Sequence, residues 1–336
     1  MEWKACYDTE LRSPGAREKI AHWLQAARQD DASTEPFGRR TVLSFPHTAL
    51  DYSGFLQARV ASWLYQMEFR RVIALGVVHG SLIPQARIAA DPQASSQDRD
   101  RAFLEVAGGF RALATRRDTP FGAVATEIAE MPADGVVRPE PQGMLQREFS
   151  LDTFCAIVRL AADVFEAEPL PIIPVYIGMT RHPITGSFDT AALLAQWLRT
   201  QWDDATAIVT TGDVVHYGEF YGSTNEGADV GALTSRFRGR LDDLFVCAFI
   251  DRDYELAYQM SLRELKSDQR DILAVLMGLM GDAAVAEVVS FELSDYADIL
   301  TAAPPCFVAS ALIAYKRPED AGATTSKTTD MRIEAA

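Results

Sequence analysis

A chain of 336 residues that is 48% hydrophobic and 24% charged carries enough apolar side chains to bury a full core, as one large α/β domain or two smaller ones, which excludes disorder of the whole chain. A net charge of −15 repels phosphate backbones and anionic lipid, so nucleic acid is excluded as an expected partner. The longest apolar stretches, such as DILAVLMGLMG at 271–281, and the charged start MEWKACYDTELRS provide neither the roughly 20 apolar residues of a spanning helix nor a signal segment; a soluble, cytoplasmic protein with no membrane partner is expected.

In chain order, residues 15–29 read as a first helix, TVLSF (41–45) as a short strand and FLQARVASWLYQMEF (55–69) as a helix. RVIALGVV (71–78) is a continuous apolar run of strand length, as expected where both faces of a sheet are covered. REFSLDTFCAIVRLAADVFEA (147–167) is amphipathic with Ser150 as the predicted N-cap, and PLPIIPVYIG (169–178) is the next strand. AALLAQWLRTQW (191–202) is helical, and ATAIVTTG (205–212) is a strand ending in glycine. Residues 230–281 read as mostly helical, and AVAEVVSFEL (284–293) and CFVASALIAYK (306–316) as late strands that close the sheet or add antiparallel members.

This alternation predicts α/β layering. The expected organisation is a single α/β domain over 1–317, followed by a disordered C-terminal tail at 318–336 that lacks apolar content. The stretches 84–102 and 131–146 are polar, carry prolines, and read as loops that overhang a site. Cys6, Cys155, Cys247 and Cys306 are scattered without CxxC spacing, so neither a zinc ribbon nor a disulfide framework is indicated, and Cys155 and Cys247 read as buried thiols.

Of the five histidines, His47, His79 and His216 each lie just past the carboxyl end of an apolar run: TVLSFP, VIALGVV and AIVTTGDVV. In an α/β sheet, neighbouring strands deliver their terminal residues to one crevice there. One histidine at a strand end is more often a hydrogen-bonded loop or core residue; three in the same setting point to a metal site, because neutral imidazole is a common ligand for iron, copper and zinc. Asp213, in GDVVH, adds a carboxylate as a ligand, an acid/base group or an orienting partner, against the ordinary reading of a turn residue after Gly212. His22 falls inside a helical pattern and reads as structural, and His182, beside Pro183, as a loop residue that could reach the crevice.

These segments resemble the MEMO family. FPHTALDYSG resembles its PHAGYxYSG segment, ALGVVHG its LGPSHH, REFSLD its EHSLE, IIPVYIG its IPVLVG and TTGDVVHYGEFYG its SSDFxHWGxRF; with VVSFELSDYADI and ASALIAY the ordered set spans roughly 40–316. The resemblance implies a three-layer α/β/α fold with a mixed central sheet, similar to class III extradiol dioxygenases, in which a non-haem Fe(II) held by histidines and a carboxylate binds substrate and dioxygen together. It implies His47 and His79 as metal ligands, with Asp213 and His216 lining the same pocket. Where the family has a cysteine ligand, LKSDQRDI (265–272) places Ser267, so the site becomes two or three histidines with Asp213, or Asp268 supplies an oxygen. Phe149 stands where the family has histidine, Glu148 is kept, and Thr48, Ala49 and Leu50 alter the surroundings of His47.

The expected function is a metal-dependent redox enzyme that uses dioxygen on a small organic substrate, with Fe(II) favoured and zinc or copper as alternatives. Its ligands are expected among His47, His79, His216 and Asp213, and whichever of His216 and Asp213 is not a ligand moves protons. Tyr52, Tyr217, Phe220 and Tyr221 are candidate pocket walls or packing residues. The alternatives are a non-catalytic binding or signalling protein, disfavoured because Arg70 with Arg71 and Arg236 with Arg238 and Arg240 read as solvated helix faces rather than an anion-binding cluster, and a hydrolase in which zinc activates water. A homo-oligomer through a free sheet edge or helix pair is compatible with the sequence, which contains no residue that requires one.

Overall fold

The apolar runs predicted as strands form the middle of one nine-stranded sheet. The computed structural model describes residues 3–30, 37–80, 83–112, 116–126, 131–141, 143–223, 229–282 and 284–317; the tail predicted at 318–336 lies outside them. Helices α1 (Trp3–Leu11) and α2 (Ala16–Asp30) precede β1 (Val42–Phe45), α3 (Leu50–Gln66), β2 (Arg71–Val77), α4 (Pro84–Ala90) and α5 (Ser96–Val106). Then come β3 (Gly109–Arg111), a hairpin of β4 (Arg116–Thr119) and β5 (Gly122–Ala125), β6 (Val137–Pro139), α6 (Asp152–Val164), β7 (Ile172–Ile177), α7 (Asp189–Gln201), β8 (Thr206–Thr211) and β9 (Val215–Gly218). The chain continues through α8 (Val230–Phe245), α9 (Tyr254–Gln259), α10 (Arg270–Met280), β10 (Val285–Asp295), α11 (Ala297–Leu300) and β11 (Cys306–Lys316).

The strands are ordered β10-β11-β1-β8-β2-β7-β3-β6, and β9 also pairs with β11. β1, β8, β2 and β7 run parallel, whereas β11 on β1, β10 on β11 and β3 on β7 are antiparallel. The sheet is therefore mixed, with antiparallel pairings at its late strands and at β3. Alternate residues along each central strand serve opposite faces. Ile73, Leu75, Val77, Ile173 and Val175 pack with Leu194, Leu198, Leu241 and Leu276 of α7, α8 and α10. Val72, Ala74, Leu43, Phe45 and Ile172 pack with Leu24, Leu64, Phe154 and Ile157 of α2, α3 and α6. Helices on both faces explain why β2 and β7 read as apolar runs and why β8 is buried along its whole length, each buried large side chain contributing about 1.5–3 kcal/mol.

Three local expectations are corrected. Residues 84–102 are not a loop: Pro84 opens α4, and the Ser95 hydroxyl caps α5 by accepting from Asp98 N at 3.1 Å. Ser150 is not an N-cap, because α6 starts from Leu151 and the Ser150 hydroxyl instead donates to Val77 O and accepts from Val77 N, clipping this segment to the end of β2. Helix α3 begins at Leu50, ahead of the predicted 55, so the helix follows His47 almost directly. Among the described residues no helix is long and apolar enough to cross a membrane, and the four cysteines are free.

Candidate metal centre

His47, Asp213 and His79 each stand two residues beyond the last residue of three neighbouring parallel strands, β1, β8 and β2. His216 arrives differently from the expectation: it lies within β9, opposite Val308 of β11. β1 occupies the other half of β11, with Ser44 opposite Ile313. The site therefore opens in the gap between the end of β1 and the start of β9, where Thr48 Oγ1 and Ser310 Oγ share a hydrogen bond of 3.2 Å. Gly218 permits β9 to lie so close: its φ of +123° suits glycine, and a Cβ there would fall 2.1 Å from Pro305 O.

Each imidazole is held by its Nδ1. The Thr211 hydroxyl gives its proton to Phe45 O at 2.9 Å, so it accepts from His47 Nδ1 at 3.2 Å. His79 Nδ1 donates to the Glu148 carboxylate, 3.1 Å from both oxygens. His216 Nδ1 lies 2.8 Å from Lys266 O, an acceptor only, and so it carries the proton. All three tautomers leave the Nε2 lone pair free, the form in which imidazole binds a metal.

The three Nε2 atoms surround one oxygen. Asp268 Oδ2 lies 3.4 Å from His47, 3.9 Å from His79 and 3.7 Å from His216. Asp268 follows a π-helical turn, Met260–Leu265, and Lys266 in the left-handed conformation at φ 51°; its amide donates to Asp213 O at 3.0 Å. Asp213 Oδ1 accepts the His47 amide at 3.2 Å, and its Oδ2 lies 3.9 Å from His47 Nε2. Among the described residues, His47, His79 and Asp268 form one group whose spacing could hold a metal ion, and Asp213, His216 and Asp268 form another. Ser267 is turned away: its hydroxyl donates to Asp213 O and accepts from Gln269 N, so of the two residues weighed at this turn it is Asp268 that faces the imidazoles.

The charges are unevenly shared. Burial works to lower the His79 pKa, but the Glu148 carboxylate holds it up at about 9; burial works to raise Glu148, and His79 with the surrounding amides holds it at about 2. Burial pushes Asp213 up against the attraction of His47 and His216. Asp268 also feels burial, yet the three imidazoles hold it well below the usual carboxylate range. The Asp268 carboxylate is thus the charge that the Nε2 atoms of the ring set face.

A cavity of about 420 Å³ opens over these groups, walled by Trp3, Tyr7, Phe149, Phe220, Tyr221 and Tyr296. Phe149 stacks on His79 with centroids 4.5 Å apart, and Tyr221 lies 4.7 Å from His216. Of the aromatic candidates, Phe220 and Tyr221 line this cavity, whereas Tyr52 packs on Tyr296 at 4.9 Å and Tyr217 is buried against Phe237. A second cavity of about 390 Å³ shares His79, Lys266 and Asp268 as its wall and is bordered by Ala86, Arg87 and Ala90 of α4, the segment expected to overhang the site.

Trp3, Tyr7, Thr48 and Tyr296 were not anticipated as lining residues. Trp3, Tyr7 and Leu11 recur at helical spacing in WKACYDTEL, a signal that marks α1 as amphipathic. His182 is excluded from the site: Nε2 bonds Asp100 at 3.0 Å and Nδ1 accepts from Ile184 N and Thr185 N. His22 is an exposed residue of α2. The arginine pairs stay local, Arg71 with Asp203, Arg238 with Asp242 and Arg240 with Asp243 and Glu264.

No protein-family model matches the chain, and no curated protein matches it. Fold and site together define a mixed-sheet α/β protein with a cluster of imidazoles and carboxylates at its parallel strand ends. The donor set fits a divalent cation of the Fe(II) or zinc kind, since it offers nitrogen and oxygen with no sulfur among the described donors.

Proposed function

We propose that the chain is a metal-dependent oxidoreductase, with non-haem iron as its ion and dioxygen as its oxidant, acting on a small organic molecule in the aromatic-walled cavity. A fold of the class III extradiol dioxygenase kind and a cytoplasmic setting belong to the same reading; the mixed sheet with histidines at its strand ends supports the first and four free cysteines the second. The observation that carries it is the convergence of three imidazoles, each with Nδ1 tied down, on Asp268 Oδ2. A bound ion would supply Lewis acidity and, as iron, one-electron steps toward dioxygen.

The chain's own residues do the positioning. Thr211, Glu148 and the Lys266 carbonyl fix the ring orientations. Phe149, Trp3 and Tyr7 pack together over the imidazoles and exclude water from one wall of the cavity. A proton released by a substrate has Asp213 or His216 in the same cavity to receive it. The same nitrogen and oxygen donors suit zinc, which supports hydrolysis as the second reading.

The test is to load stripped protein with Fe(II) under argon, then follow oxygen uptake with a panel of small organic substrates, beside the zinc-loaded protein with esters and amides. Uptake that needs iron and is lost in His79→Ala supports the oxidoreductase. Turnover by the zinc form alone, without oxygen uptake, overturns it in favour of the hydrolase.

A further inference from the structure

The number of ions is not settled by the convergence on Asp268, because the donors fall into two triads that overlap at that residue. His47 and His79 assemble with Asp268, while His216 assembles with Asp213 and the same Asp268, each set with its ligand atoms within 4.8 Å of one another. Bonds of about 2.0–2.1 Å place neighbouring donors on one ion roughly 3 to 3.4 Å apart. His47 Nε2 and Asp268 Oδ2, at 3.4 Å, meet that spacing; His79 at 3.9 Å and His216 at 3.7 Å come within a few tenths of it through small side-chain rotations.

We infer that the cavity holds two divalent cations bridged by the Asp268 carboxylate, one on His47 and His79 and the other on Asp213 and His216; this rests on the metal reading proposed above and makes Asp213 and His216 ligands in place of the proton acceptors named there. A carboxylate has two oxygens and about four lone-pair sites, enough for two ions. Asp213 is prepared for the second ion in the way the histidines are for the first: the His47 amide occupies Oδ1 and leaves Oδ2 over the cavity. That oxygen stands 3.9 Å from His47 Nε2, so the two sets are immediate neighbours, as two ions sharing one carboxylate require.

Coordination number favours the same division. Five protein donors on one octahedral ion leave a single open position, whereas two sets sharing Asp268 leave about three on each. Two dications against the two carboxylates of the cluster keep a positive remainder. The pair therefore selects an anionic oxygen as its ligand, such as a carboxylate or ionised hydroxyl of the substrate.

The test uses the full chain, stripped with chelator and titrated with Mn(II), with bound metal counted after gel filtration and electron paramagnetic resonance recorded on the unmodified protein. The expected result is two Mn(II) per chain with an exchange-coupled spectrum, falling to one uncoupled ion in His216→Ala and in His79→Ala, with circular dichroism unchanged. One ion per chain in the unmodified protein overturns the pair but leaves the metal reading standing. Two uncoupled ions overturn the Asp268 bridge. No bound metal overturns both the pair and the reading beneath it. The spectrum of the unmodified protein decides without any variant, so a misfolded variant does not leave the matter open.

Discussion

His47 and His79 meet edge to face, with ring centroids 5.2 Å apart, although 31 residues of helix and strand separate them in the chain. The meeting follows from strand order. β8 lies between β1 and β2, so residues two positions past β1 and β2 flank Asp213 from either side of the β8 end. Parallel strands with covered faces expose only their ends, and the ends are where this chain places the ionisable side chains His47, His79 and Asp213.

Glu148→Gln is expected to weaken metal binding by about 10- to 100-fold, because the amide keeps the shape but not the charge that fixes the Nδ1–H tautomer of His79. Competition against a chelator measures it. An affinity within about twofold of the unmodified protein would show that His79 needs no orienting carboxylate.

In the metal-free protein, the same pair makes stability depend on pH in both directions. Glu148 is held near 2 against an ordinary 4.5, so its contribution is present above 4.5 and is lost as pH falls toward 2. His79 is held near 9 against an ordinary 6.5, so its contribution is present below 6.5 and is lost as pH rises through 9. The difference in Tm between unmodified protein and Glu148→Gln, measured with chelator present, should be largest between about pH 4.5 and 6.5 and shrink on either side. Parallel curves from pH 4 to 9 would contradict the pairing.

Lys266 separates backbone from side chain. Its φ of 51° and ψ of 43° turn its carbonyl toward His216, while Nζ donates to Ser223 Oγ at 3.0 Å and to Tyr221 O. Lys266→Ala and Lys266→Gly lose the ammonium equally, but only glycine adopts this conformation without strain. Lys266→Gly should be more stable than Lys266→Ala by about 1 kcal/mol in urea unfolding. Equal stabilities would mean that the turn is not strained.

Most of the sheet was legible in the sequence because β2, β7 and β8 are buried on both faces and read as short runs rich in apolar and β-branched residues. β9 was hidden: four residues long, with His216 half-buried among buried neighbours, it has no periodicity to read. The histidines at strand ends were legible for the same reason as the strands. Asp268 was weighed as a substitute for a thiolate or a donor to a second ion and not as the centre of the site, since what aims it at three imidazoles is a π-helical turn and a left-handed Lys266, neither of which has a signature in residue type. Ser150 misled because a hydroxyl ahead of a helix caps it only if no nearer partner exists, and here the Val77 peptide groups are that partner.

The central claim is that His47 and His79 hold a metal, and elemental analysis tests it most directly. Anaerobically purified protein, stripped, reconstituted with Fe(II) and desalted, should retain at least one iron per chain. His47→Ala and His79→Ala should each lose a bound ion while keeping the circular dichroism spectrum of the unmodified protein. Iron no higher than background in the unmodified protein, or iron retained unchanged in both variants, would contradict the account.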